Sequence, residues 1–316
     1  MFLAYVSGRG RALADAALYL PARWTAAAAR CRAAGVPAGV EFRTKPELGL
    51  ALLRRLRERG QLPGRWVTAD EAYGEVPSFR DALDAERWSY VLEVPTTTTV
   101  WPSTADQPPP FAPGARTRVR SDLGPPRSVA ELAAALPAAS WQALTVAEGA
   151  QGPRTYQFAA RRIREAAQPG PGRPGWALWR RNLDGSELKH YLSNAPAETP
   201  LARLATVASW RWPIETEFEQ AKNEAGLDEY EVRGWAGWHH HIALALLANA
   251  FLLSLEQDWG GKAAADHAAP DHPRAARAAA AAALQRRGPP PAAGGDPAPQ
   301  RAGQTLARQA PSAQAA

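Results

Sequence analysis

The alternation of helix and strand signals between residues 45 and 95 constrains the fold more than any other feature. Thr44 and Glu47 have the spacing of a helix capping box, and Gly60 marks the end of the predicted helix. The predicted elements are a helix over 45–60, a strand over 66–69, a helix over 77–86 and a strand over 89–95. Such alternation is typical of an α/β sheet flanked by helices.

The rest of the chain changes character three times. Residues 1–6 form an apolar run that predicts a buried strand. A proline-rich loop and then strand-like runs indicate a β-rich insertion, and a helical region follows it. The last part is rich in alanine, proline and arginine, which predicts disorder. We therefore expect four regions: 1–101 and 196–258 from one α/β domain, the insertion 102–195, and the tail 259–316.

Composition narrows the class of protein. The net charge of +6 suggests a polyanionic partner, but residues 259–316 contribute +4 of it, so any basic surface on the body is local. Cys31 is the only cysteine, which excludes an internal disulfide and fits a reducing compartment. The start lacks a signal peptide pattern, and the longest apolar run, 242–255, is short for a membrane span. We expect a cytoplasmic protein without a membrane partner.

Two sets of residues are candidates for chemistry. Asp70 follows a predicted strand directly, where α/β sheets place ligands, although such an acid is more often a helix cap or a solvated charge. Arg211, Glu215 and Lys222 lie four and seven residues apart, which puts them along one stripe of a helix. Periodicity alone favours a solvated charged face for this second set.

Three stretches, however, resemble the DDE-type transposases of bacterial insertion sequences. The most specific is Arg211, Glu215 and Lys222 with the run that follows them to residue 239, and the others are residues 42–48 and 66–74. The resemblance covers residues 1–258. It is greatest to the branch whose RNase H-like domain, a mixed sheet flanked by helices, carries a β-rich insertion before the last catalytic acid.

The resemblance implies roles for four residues. Asp70 matches the second catalytic aspartate and Glu215 the catalytic glutamate, and both would bind metal. Arg211 and Lys222 match the basic residues that contact DNA near the scissile phosphate. A tyrosine found in related families is replaced here by Ala208. The implied cofactor is Mg²⁺, with Mn²⁺ as a substitute, because paired divalent ions held by carboxylates activate the nucleophile and stabilise the leaving oxygen.

The resemblance also implies cut-and-paste transposition by phosphodiester hydrolysis and strand transfer. The partners would be double-stranded DNA, as insertion-sequence ends and target, and a second copy of the chain in a synaptic complex. The family's first aspartate lies on a central strand ahead of the segment that resembles residues 2–7, and neither Asp15 nor Glu41 matches it. We therefore expect a truncated copy without the first strands of the sheet, from a wrongly assigned start or a damaged gene.

Two alternatives to an active transposase remain open. A chain without the first aspartate is expected to be inactive, because a site with one acid missing cannot hold both metal ions. Such a catalytically inactive fragment could still bind DNA or full-length transposase subunits. A host nuclease with an RNase H-like fold is less well supported, because the spacing of Arg211, Glu215 and Lys222 resembles transposases specifically.

Overall fold

A computed structural model describes residues 1–7, 10–103, 124–149, 152–167, 170–231 and 233–263. The chain divides into two compact units, Met1–Asp258 and Trp259–Ala316. Everything below concerns the first unit. The disorder predicted for 259–316 falls almost entirely outside the described residues.

The first unit contains ten strands among the described residues. They are β1 (Phe2–Ser7), β2 (Gly10–Ala16), β3 (Trp66–Ala69), β4 (Ser89–Glu93), β5 (Thr99–Pro102), β6 (Arg127–Ser128), β7 (Gln142–Gly149), β8 (Gly152–Ala167), β9 (Gly170–Arg181) and β10 (Lys189–Ser193). The helices are α1 (Ala22–Thr25), α2 (Ala28–Ala33), α3 (Lys45–Glu58), α4 (Glu71–Gly74), α5 (Pro77–Ala85), α6 (Val129–Ala134), α7 (Leu201–Ser209), α8 (Trp212–Ala225) and α9 (Trp235–Ala263).

Eight of these strands form one mixed sheet in the order β3-β4-β10-β9-β8-β5-β6, with β7 paired to β8. Only β3 and β4 run parallel, and the other pairs are antiparallel. Helices cover both faces: α7 packs on one through Leu204 and Val207, and α6 on the other through Leu132. This mixed α/β architecture is consistent with the RNase H-like fold that the sequence predicts.

The β-rich segment continues this sheet rather than forming a sheet of its own. β10 pairs with β4, with Tyr191 opposite Glu93 and Ser193 opposite Val91. β9 and β8 then extend the sheet outward from β10. Alternate side chains of the β-rich segment, such as Tyr191 opposite Glu93, therefore share a sheet face with the end of β4.

The capping box predicted at Thr44 is present and begins α3. The Glu47 amide donates to the Thr44 hydroxyl at 3.4 Å, and the Thr44 amide donates to the Glu47 carboxylate at 2.7 Å. Leu52 and Leu56 are buried on the inner face of this helix. Local backbone satisfaction and an apolar stripe together explain why this segment folds as predicted.

The first strand differs from its prediction as a buried element. β1 pairs only with β2 among the described residues, and all its residues are half-buried. β3, likewise, has β4 as its one described partner. A cavity of about 440 Å³ is lined on one side by β1 and on another by the start of β3. A strand with one neighbour buries less of its surface, which explains the exposure of β1.

Helix α9 corrects the expectation that no segment has membrane-spanning length. Its stretch Trp235–Glu256 is long and apolar enough to cross a membrane by length and composition, with 17% of the apolar window buried. One such helix is weak support for a membrane span. Ile242 and Ala245 of α9 pack against Ala221 of α8, so part of this helix contributes to the core of the unit.

A buried ion-pair network ties the sheet to α5. Glu165 on β8 accepts hydrogen bonds from Arg80 at 2.8 Å and from Arg173 at 3.0 Å, and from the Tyr90 hydroxyl. Burial alone raises the pKa of Glu165, but Arg173 and Arg80 outweigh it and hold the pKa below its ordinary value. Glu165 is therefore a charged, paired group inside the fold.

Candidate functional site

Asp70 lies directly after β3, as the sequence predicts, and precedes the short helix α4. It does not cap that helix, because its side chain makes no capping hydrogen bond. Its Oδ1 atom is buried and has no hydrogen-bond partner in the part of the chain that the structure describes. A buried carboxylate oxygen without a donor is costly, so this geometry argues against a simple capping role.

The turn after Asp70 is held by the end of β4. The amide of Gly74 donates to the Asp70 carbonyl oxygen at 2.9 Å. Gly74 itself packs against the backbone carbonyl of Glu93, and a Cβ at residue 74 would overlap that oxygen. Arg80 also donates a hydrogen bond to the Gly74 carbonyl. The position of Asp70 therefore depends on a glycine four residues further on.

Tyr73 connects Asp70 to the N-terminal strand. Its hydroxyl lies 3.4 Å from the Met1 sulfur. Burial, and then the nearby charge of Asp70, raise the pKa of Tyr73 to about 12, so the phenol stays protonated. Met1 in turn lines a cavity of about 730 Å³ together with Glu215 and Lys222. Met1 therefore contacts Tyr73 and also lines the cavity that contains Glu215.

Helix α8 carries the other three predicted site residues. Pro213 occupies its first turn, and Gly226 ends it in a left-handed conformation with φ 64°. Glu215 is exposed, with 56% of its side chain accessible, and its carboxylate pairs with Arg211 at 3.1 Å. Lys222 is exposed two turns further along. Arg211 and Lys222 thus flank Glu215 along the helix.

Glu217, two residues beyond Glu215, has the opposite environment. Its side chain is fully buried and lies 3.2 Å from the Arg11 Nε atom. Neither carboxylate oxygen of Glu217 has a hydrogen-bond partner among the described residues. Burial, only partly offset by Arg11, raises the pKa of Glu217. Of the two acids, Glu215 is the one accessible to a ligand.

Glu93 is an acid that sequence reasoning missed. It ends β4, and the parallel pairing of Ala69 with Leu92 places Glu93 beside Asp70 in the register. Its carboxylate pairs with Lys189 at 2.6 Å, and it lines a cavity of about 470 Å³ together with Glu215. An acid ending a strand was the signal used for Asp70, and the same signal was available at residue 93.

Asp15, one of the two early acids, has a structural role. Its carboxylate forms two short hydrogen bonds to Arg55 on α3, at 2.6 and 2.7 Å. Asp15 and Glu41 line a different cavity from those that contain Glu215. No group of three or more His, Cys, Asp or Glu side chains that could hold a metal ion is present within the described ranges.

Comparison with known families decides the class of protein. A model described as DDE superfamily endonuclease matches residues 1–153. This match supports a DDE-type transposase or nuclease family for the chain. No curated protein matches the chain. The DDE endonuclease family implies a DNA substrate, and its nucleases generally use divalent metal ions.

The DDE match includes Asp70 and Glu93 but ends before α8. The roles of Arg211, Glu215 and Lys222 therefore rest on their sequence resemblance and on the geometry of α8.

Proposed function

We propose that this DDE endonuclease is a transposase that moves an insertion sequence by cutting and joining DNA, with Asp70 and Glu215 as its metal-binding acids. The observation that carries the proposal is the Oδ1 atom of Asp70 at the end of β3, which is buried and has no partner among the described residues. A carboxylate oxygen kept out of water without a donor is suited to a cation.

The donor chemistry of both residues fits Mg²⁺, or Mn²⁺ as its substitute. These ions take carboxylate oxygens, water and phosphate oxygens as ligands. When bound, the ions would lower the pKa of a water nucleophile and stabilise the leaving oxygen. Glu215 is exposed and held by Arg211, so it can turn from that partner to a ligand at little cost.

Arg211 and Lys222 would bind the phosphate backbone on either side of Glu215. Their positive charges lie along one exposed stripe of α8. Such contacts position the duplex without selecting its sequence. Insertion-sequence ends and target DNA as substrates, a homodimer in a synaptic complex, and a cytoplasmic location are supported by the family resemblance.

A second candidate function is DNA binding without cleavage, by an inactive relative of such enzymes. It is favoured by the lack of a three-acid cluster within the described residues.

A cleavage assay separates the two. The substrate is a supercoiled plasmid that carries the gene with its flanking DNA, incubated with the full chain and Mg²⁺ or Mn²⁺. We expect metal-dependent nicking that EDTA removes and that Asp70→Asn and Glu215→Gln each abolish. Glu219→Gln is the matched control, because Glu219 is an exposed acid on the same helix. Binding without nicking by the wild-type chain would establish the second candidate and overturn the first.

A further inference from the structure

A second group of basic residues lies next to Glu215 on the sheet rather than on α8. We call the cavity of about 470 Å³ between the sheet and the start of α8 the basic groove. The charged residues that line it are five basic and three acidic: Arg11, Arg154, Arg180, Lys189, Arg211, Glu93, Glu187 and Glu215. Arg11 is paired with Glu217, which does not line the cavity, and the remaining basic residues still outnumber the acidic ones.

Two of the three acids are already paired. Glu93 pairs with Lys189 at 2.6 Å, and Glu215 pairs with Arg211 at 3.1 Å. Arg180, in contrast, has no ion pair within the described residues, and its Nε atom is buried without a hydrogen-bond acceptor there. One nitrogen of the half-buried Arg180 guanidinium therefore lies out of water in the groove without an acceptor among the described residues.

The neighbours of Arg180 increase this imbalance. Its cross-strand partners are Lys189 on β10 and Phe158 on β8. Like charges directly opposite one another in a sheet are destabilising. The Arg180 guanidinium carbon lies 4.5 Å from the centroid of the Tyr156 ring, a cation–π distance. Because Lys189 is paired with Glu93, Arg180 is the member of this cross-strand pair without an ion pair among the described residues.

We propose that the basic groove binds the phosphodiester backbone of the DNA substrate, with Arg180 as a phosphate contact. A phosphate would supply the acceptor that the Arg180 Nε atom lacks, and a planar guanidinium suits two phosphate oxygens at once. The proposal rests on the DNA substrate of the proposed function and deepens it. It assigns the β-rich segment, through β9 and β10, to substrate binding.

An extended polyanion fits the groove better than a single phosphate ion does. The basic side chains are spread over β2, β8, β9, β10 and the start of α8 rather than gathered round one point. The groove also contains Glu215, the acid proposed to act on the scissile phosphate. A DNA strand passing from α8 onto the sheet would contact both regions.

The test is equilibrium binding of unrelated DNA duplexes by the metal-free full chain across a salt series. Arg180→Gln removes the charge and keeps a polar side chain. Arg161→Gln is the matched control, because Arg161 is an exposed residue of β8. Its side chain is on the sheet face opposite to that of Phe158, the residue paired with Arg180. We expect Arg180→Gln to bind about tenfold more weakly to every duplex, with a salt slope reduced by about one. Arg161→Gln should match the wild type.

Further arms separate the ways in which the proposal can fail. Arg180→Lys should keep the wild-type salt slope, and melting temperatures confirm that the variants fold. Equal binding by Arg180→Gln and Arg161→Gln overturns the role of the groove but leaves the proposed nuclease function intact. A wild-type chain that binds no duplex overturns both. Stabilisation of the wild type by inorganic phosphate alone, without duplex binding, assigns the groove to a free anion and contradicts the proposal.

Discussion

Gly74 packs against the backbone carbonyl of Glu93 so closely that no Cβ fits at residue 74. This contact joins the turn after β3 to the end of β4, and Asp70 begins that turn. The placement of a candidate metal-binding acid therefore depends on the absence of a side chain.

Gly74→Ala should destabilise the unit and displace Asp70. The methyl group meets backbone rather than a flexible side chain, so we expect a loss of about 1–3 kcal/mol from overpacking. Urea unfolding of the variant measures the loss. Gly39→Ala is the control, because the space around a Cβ at residue 39 is open. Equal stability of the two variants would show that the turn moves freely.

Local signals explain which elements were predictable. The helix α3 follows from its capping box and apolar stripe, and the position of Asp70 follows from a short β-prone run. Both depend on residues close together in the sequence. Four of the strand-like runs between 141 and 192 also form strands, since strand propensity and alternation are local as well.

Long-range contacts explain what was missed. Glu93 and Lys189 meet only because β10 pairs with β4, and no local pattern specifies that pairing. The contrast between Glu215 and Glu217 depends on how α8 packs against β2 and α9. Arg180 becomes notable only when its neighbours across the sheet are known. The membrane-spanning length of α9 was missed because its continuous apolar run, 242–255, is shorter than the helix.

Glu165→Gln should be strongly destabilising at neutral pH. The substitution leaves the buried Arg80 without its charged partner, and breaking a buried ion pair costs about 3–5 kcal/mol. Chemical unfolding at pH 7 measures the effect. Glu198→Gln, at an exposed acid, is the control. If Glu165→Gln lowers the free energy of unfolding no more than Glu198→Gln does, the network adds no stability.

The ion-pair network around Glu165 also predicts how the free energy of unfolding depends on pH. The pKa of Glu165 is lowered in the folded state, so its contribution is present above the unfolded value of about 4.3 and is lost as pH falls below it. The wild type should lose stability more steeply than Glu165→Gln between pH 5 and 3, in unfolding experiments at several pH values. Parallel curves for the two proteins would contradict the lowered pKa.

Glu217→Gln should have the opposite effect. Burial raises the pKa of Glu217, so its protonated form stabilises the fold at low pH, and that stability is lost as pH rises through the folded pKa. At pH 7 the variant should be at least as stable as the wild type, because Arg11 stays partly exposed and bonded to Gln220 at 2.8 Å. Thermal unfolding at pH 5 and pH 8 tests this. A large loss at pH 8 would show that the charged form is stabilising.

Lys222→Ala should weaken DNA binding equally for unrelated sequences. Lys222 is exposed beside the cavity that contains Glu215, where a phosphate contact carries no direct base information. We expect the slope of log affinity against log salt to fall by about one. Fluorescence anisotropy with several duplexes measures both quantities. Weaker binding of one sequence alone, or an unchanged slope, would exclude the phosphate contact.

The most direct test of the account is where a divalent ion binds. A crystal structure of the full chain with Mn²⁺ and a DNA duplex should show anomalous scattering between Asp70 and Glu215, with their carboxylates about 4–8 Å apart, the separation that a shared metal pair allows. The same experiment on Asp70→Asn should lose the signal. Manganese bound elsewhere, or Asp70 and Glu215 on opposite faces of the fold, would contradict the assignment of these two acids to one metal site.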